Sequence, residues 1–121
     1  MGDELRYDSD SDCVILHVEG TVTMERIRKL APQVARMFAH TGCNRLLNDM
    51  RAAIIDVSVT ELFDSPNAMD EAKVSRTIKR ALVVPPSFKE STFLEDVTNN
   101  RGHNLRVFKD IEEAKQWLLA E

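Results

Sequence analysis

A chain of 121 residues, 43% apolar and 30% charged, has the size and balance of one globular domain, which excludes a disordered class. No unbroken apolar run exceeds four residues, against the roughly twenty needed to cross a bilayer, so an integral membrane protein is not expected. A net charge of −4 argues against a general nucleic-acid binder, which would carry a basic surface.

Glu4 to Asp8 alternates polar residues with Leu5 and Tyr7 and predicts a short first strand. Asp8-Ser9-Asp10-Ser11-Asp12 has turn composition, and Cys13 to Val18, apolar on both faces, predicts a central strand. A short turn between them makes an antiparallel hairpin. Residues 1–12 hold five acids against one base, and residues 13–121 hold fifteen of each. The acidity therefore belongs to the start of the chain, and a solvated edge hairpin accounts for it.

Gly20 ends the second strand, and a helix is expected from Met24 to His40 with Thr23 as its N-cap. Ile27, Leu30, Ala31, Val34, Met37 and Phe38 recur at three and four residues and form one apolar stripe. Pro32 lies inside the pattern and predicts a kink near Arg28 to Ala31 or a helix in two parts. Thr41-Gly42 is its stop signal. Arg45 to Met50 predicts a third strand. Ser58-Val59-Thr60-Glu61 has capping-box spacing, and Ser65-Pro66 is expected to restart that helix. Arg80 to Val84 predicts a fourth strand, stopped by Pro85-Pro86. Ser87-Phe88-Lys89-Glu90 has the same box spacing and is expected to open a helix to Thr98. Leu105 to Phe108 predicts the fifth strand. Asp110 caps a last helix whose buried face carries Ile111, Ala114, Trp117 and Leu118.

Strands alternating with helices require parallel crossovers. The expected fold class is α/β: one domain over 1–121, a single mostly parallel five-stranded sheet, an antiparallel N-terminal edge hairpin and about four helices. Ligands of such open sheets bind beyond the carboxyl ends of the strands. That face is built from 19–21, 49–51, 85–87 and 109–110. Asp49 and Arg51 offer a charged pair there, and Ser58 and Ser87 offer helix starts suited to an anion.

Several constellations fail on spacing. Asp8, Asp10, Asp12 and Glu19 have calcium-loop offsets, but Cys13 stands where the loop needs Gly. Cys13 with His17, and His40 with Cys43, are half-sites for zinc with no second half. No Gly-x-Ser-x-Gly elbow or Gly-rich phosphate loop occurs, so neither catalysis nor a metal or cofactor is expected. No export signal is read at the start, which sets the expectation of a cytoplasmic protein with free thiols.

In order and spacing the chain resembles the SpoIIAA-like fold group, and within it the small STAS/SEC14-like bacterial proteins. Four stretches carry the likeness. Val18-Glu19-Gly20-Thr21-Val22-Thr23 leads into the first helix, and Leu46 to Arg51 forms the third strand. Ile78 to Pro85 forms the fourth, and Asn100-Arg101-Gly102 is followed by Val107 to Leu118. The resemblance implies a non-enzymatic regulatory module with a protein partner. In the anti-sigma-factor antagonists of this fold, a Ser at the start of the helix after the third strand is phosphorylated within an Asp-Ser-Ser-Gly type loop. Here that loop reads Arg51-Ala52-Ala53-Ile54-Ile55-Asp56-Val57-Ser58, and only Ser58 stands in a comparable place. The SEC14 association implies instead a lipid or small apolar ligand, for which Met24, Met37, Met50 and Met69 would supply adaptable lining. A homodimer is compatible with either reading.

Overall fold

A computed structural model describes residues 2–120. The elements run β1 (Asp3–Asp8), β2 (Cys13–Val18), β3 (Gly20–Val22), α1 (Met24–Thr41), β4 (Arg45–Asp49), β5 (Ala53–Ile55), α2 (Val59–Glu71), β6 (Lys79–Val83), α3 (Ser91–Asn100), β7 (Asn104–Phe108) and α4 (Ile111–Leu119). The main sheet has the order β1-β2-β4-β6-β7. Only the β1–β2 pair is antiparallel. The expected α/β class and the edge hairpin are both present.

The sheet grows in one direction from β2 to β7. Right-handed crossovers then place α1, α2 and α3 on the same face. Their residues Leu30, Val34, Phe38, Leu62, Ala68 and Leu94 join Val14, Leu16, Leu46, Leu82 and Leu105 in the larger core. The opposite face receives only α4, through Ala114 and Leu118 against Cys13, Leu47, Ala81 and Val83. Because α4 packs on β4, β6 and β7, the outer face of the hairpin stays wet. Glu4 and Arg6 are exposed there and Ile15 and His17 half-buried. Trp117, expected on the buried face of the last helix, and Phe108 are half-buried at the rim of the smaller cluster, with ring centroids 5.8 Å apart.

Three local expectations need correction. First, β3 and β5 form a separate two-stranded parallel sheet, in a region expected to be loop. It lengthens the path from β2 to α1 and from β4 to α2. Second, neither proline divides a helix: α1 and α2 are continuous through Pro32 and Pro66. Pro66 deprives the Leu62 carbonyl of its amide partner, and the Ser65 hydroxyl donates to that same oxygen at 2.8 Å. The Ser65-Pro66 pair therefore repairs a helix interior instead of starting a helix. Third, Ser87 caps nothing. The Phe88 amide closes a turn on the Pro85 carbonyl at 3.0 Å, and Phe88 is buried in the larger core. Once the chain turns Phe88 inward, helix cannot begin until α3, whose N-cap Glu90 makes no side-chain cap bond.

The other helix starts follow the residue types. Thr23 accepts from the Arg26 amide at 3.3 Å, and Asp110 from the Glu112 amide at 3.0 Å. Ser58 and Glu61 form a reciprocal box, with the Glu61 amide 3.1 Å from the Ser58 hydroxyl and the Ser58 amide 2.9 Å from the Glu61 carboxylate. Ser58→Ala is expected to cost about 1 kcal/mol, the usual value of an N-cap hydroxyl. Urea unfolding should show a lower midpoint with an unchanged slope.

Candidate functional site

Parallel β2, β4, β6 and β7 bring their carboxyl ends to one edge, and Asp49 is the last residue of β4 there. In register it lies between His17 on β2 and Val83 on β6, on the α4 side of the sheet. Its side chain is 8% exposed. Arg51 folds back in a two-pronged contact, Nε to Oδ1 and Nη2 to Oδ2, both at 2.9 Å. The Arg51 amide adds a bond to Oδ1 at 3.1 Å. His17 Nδ1 lies 3.3 Å from Asp49 Oδ2, and its Nε2 lies 3.2 Å from Glu19 Oε2.

Burial pushes the Asp49 carboxyl up, but the Arg51 hydrogen bonds and charge, helped by His17, outweigh it and hold the group below the usual carboxylate range. His17 is held above 6.5, first by its bond to Glu19 and then by Asp49, against the opposing effect of burial. The arrangement can orient an imidazolium between two carboxylates. Its donors and acceptors are largely spent on one another, and among the described residues no group of three or more His, Cys, Asp or Glu side chains is placed to hold a metal ion.

The four predicted site residues are therefore not one site. Asp49 and Arg51 are joined. Ser58 caps α2, which packs on the opposite face of the sheet, and Ser87 is exposed in the Pro85–Phe88 turn. Cys13 and Cys43 are free and buried, and burial pushes the Cys13 thiol up to about 11, away from nucleophile chemistry.

Sequence reasoning missed a cavity inside the larger core. It has a volume of about 120 Å³ and lies between the sheet and α1, α2 and α3. Leu30, Val34 and Leu62 line the helix side, and Met50 and Met69 contribute two of the four methionines expected at an apolar ligand. The sheet side carries polar residues. Asn48 on β4 and Arg80 on β6 are diagonal neighbours on this face, Asn48 facing Leu82 and Arg80 facing Leu46. Arg80 is 8% exposed, and its Nε is buried without a hydrogen-bond partner, as is Asn48 Oδ1. No carboxylate among the described residues pairs with Arg80. Asp70, whose field reaches it, is engaged by Arg76 at 2.8 Å and by His103 at 2.9 Å. Burial pushes the Arg80 guanidinium down to about 10, with Asp70 opposing, so it stays charged at neutral pH. The one signal in sequence was an arginine inside a predicted strand, followed by the apolar run Ala81 to Val84.

The fold defines an open α/β domain with three helices on one face of a parallel sheet and one on the other. The SpoIIAA-like family model matches residues 13–119, and the chain belongs to that family. Among solved structures it is similar to an uncharacterised DUF3478-family protein with a SpoIIAA-like fold from Shewanella loihica PV-4, at 18% identity, with 97% of this chain and 92% of that chain covered and a TM-score of 0.60. It is also similar to the anti-sigma factor antagonist SpoIIAA in its unphosphorylated form, at 9% identity over 93% of this chain and 92% of that one, with a TM-score of 0.53. The phosphorylated form of the Bacillus cell fate determinant SpoIIAA matches at 6% identity over 96% and 99%, with a TM-score of 0.51. At these identities the likeness is one of fold. No match is found among curated proteins. No helix among the described residues is long and apolar enough to cross a membrane.

Proposed function

We propose that this protein is a non-enzymatic binding domain whose interior takes a small, largely apolar ligand. The cavity between the sheet and the three helices carries the reading. Its volume, about 120 Å³, is close to that of an engineered apolar cavity of about 150 Å³ that binds benzene. A cavity of this size suits a small molecule better than a full acyl chain. The satisfied hydrogen bonding of the Asp49, Arg51 and His17 group favours binding over catalysis, because a working acid or base needs a free position toward its substrate.

Neutral apolar probes such as indole and 1-hexanol test the reading. Each is expected to raise the melting temperature of the wild-type chain in a concentration-dependent way. Val34→Phe places a ring in the cavity and is expected to abolish that response while the variant stays folded. A wild-type chain indifferent to both neutral probes and small organic acids would rule the reading out.

A protein partner is a second reading with its own support. Val59 and Phe63 are one turn apart on α2 and each 55% exposed, and Ile54 on β5 is 66% exposed. These apolar side chains flank Ser58, the position comparable to the family's switch residue, and they fit a surface that a regulatory partner or a second copy would cover.

A further inference from the structure

We propose that the cavity is specific for a small monocarboxylic acid with an apolar body, of about the size of benzoate or hexanoate, its carboxylate held by Arg80 and Asn48. The proposal deepens the small-ligand reading above and rests on it.

The warrant is an unbalanced charge beside an empty apolar space. A buried cation without a counter-ion carries a desolvation cost of several kcal/mol, and proteins bury arginine almost only when it is paired. Arg80 is 8% exposed, lines the cavity and makes no hydrogen bond or ion pair among the described residues. The negative charge that acts on it, Asp70, already holds Arg76 and His103, so the local sum stays positive. The planar guanidinium fork matches a carboxylate in two-point contact. Asn48 stands diagonally across on the neighbouring strand, and a half-turn of its amide presents the NH₂ group to the same carboxylate.

The rest of the lining decides the remainder of the ligand. Leu30, Val34, Leu62, Met50 and Met69 offer only hydrocarbon and thioether contacts. On the helix side only the hydroxyl residues Ser65 on α2 and Thr98 on α3 add polarity, so most of the space accepts an aliphatic or aromatic body. A phosphate dianion would carry two charges against the single one of Arg80, the one charged residue in the lining. The neighbouring hydroxyl of Ser65 is committed to the Leu62 carbonyl at 2.8 Å.

Calorimetry and thermal shift on the wild-type chain test the assignment with matched pairs: benzoate against benzyl alcohol, hexanoate against 1-hexanol, and sodium chloride at equal ionic strength. The acids are expected to bind at least about tenfold more tightly than their alcohols, a difference of about 1.4 kcal/mol. Chloride is expected to do little. In Arg80→Met the acid preference should vanish while alcohol binding persists. Arg80→Gln, polar but uncharged, should lose the preference in the same way if Arg80→Met folds poorly. Equal binding of acid and alcohol by the wild-type chain would overturn the carboxylate assignment and leave the apolar-ligand reading standing. A chloride effect as large as that of hexanoate would also overturn it, in favour of a bare-anion site. Binding of neither acid nor alcohol would remove both readings together.

Discussion

Arg80→Met is expected to stabilise the unliganded protein by about 3 kcal/mol, the free energy that corresponds to lowering the guanidinium from its ordinary value to about 10. In the unfolded chain Arg80 is fully hydrated. In the folded chain it is charged, more than nine-tenths buried and without an ion partner among the described residues. Methionine keeps most of the unbranched stem and removes the charge, so the packing against Leu46 and Leu105 on the neighbouring strands is retained. The sign follows from linkage: a base whose folded value is depressed is less protonated when folded. Its cost is present at all pH values below that folded value and fades only as the pH rises through it. At neutral pH the whole benefit of the substitution should therefore be visible, as a melting temperature higher by roughly 10 °C for a domain of this size. An unchanged or lower melting temperature would mean that the folded chain itself compensates Arg80, and the argument for an anionic ligand would lose its basis.

Asp49→Ala is expected to act in the opposite direction, by about 2 kcal/mol. It removes the acceptor for three Arg51 hydrogen bonds, one of them from the backbone amide. Charge-assisted bonds of this kind are worth about 1.5–3 kcal/mol each when buried. Arg51 is 48% exposed on its side chain, however, and recovers much of its hydration, which brings the total down. The loss should depend on pH with two limbs. Asp49 is held below its ordinary value, so its contribution is complete above about pH 4 and disappears as the pH falls through the folded value. His17 is held above 6.5 first by Glu19, which the variant keeps, and then by Asp49; the Asp49 share is complete below that value and is lost as the pH rises through the folded one. The gap between wild-type and variant is thus widest between about pH 4 and 6.5. Urea unfolding at pH 3, 5.5 and 8.5 checks it. His103 has the reverse sign to His17. Burial first, and then the charge of Arg80, hold it below 6.5, so it weakens the fold as the pH falls. That effect is common to both proteins and cancels in the difference.

These two residues also mark the boundary of what could be read from the chain alone. Asp49 stood out because it ends a predicted strand on the face where open sheets bind ligands, and Arg51 follows two residues later, a separation short enough for one side chain to reach back to the other. His17, thirty-two positions away from Asp49, joins them only because β2 and β4 pair in a particular register. Ser58 was legible as a cap because a capping box is a four-residue pattern. Ser87 carried the same pattern and failed, because burying Phe88 in the core took precedence over a local cap. Pro66 misled for a related reason. Its cost is local, but Ser65 could offset it by reaching the orphaned carbonyl.

The succession of main strands and helices along the chain, the parallel connections, the acidic edge hairpin and the family were legible before any tertiary contact was known. The family rests on the likeness of four stretches, and the rest on short-range signals: apolar periodicity, cap residues and turn residues. The small β3–β5 sheet, the His17 partnership and the cavity over Arg80 and Asn48 were decided by tertiary structure. Each depends on which strands lie side by side and on how closely three helices settle on one face of the sheet. A void is the space that packed side chains leave unfilled, and no single stretch of sequence encodes it.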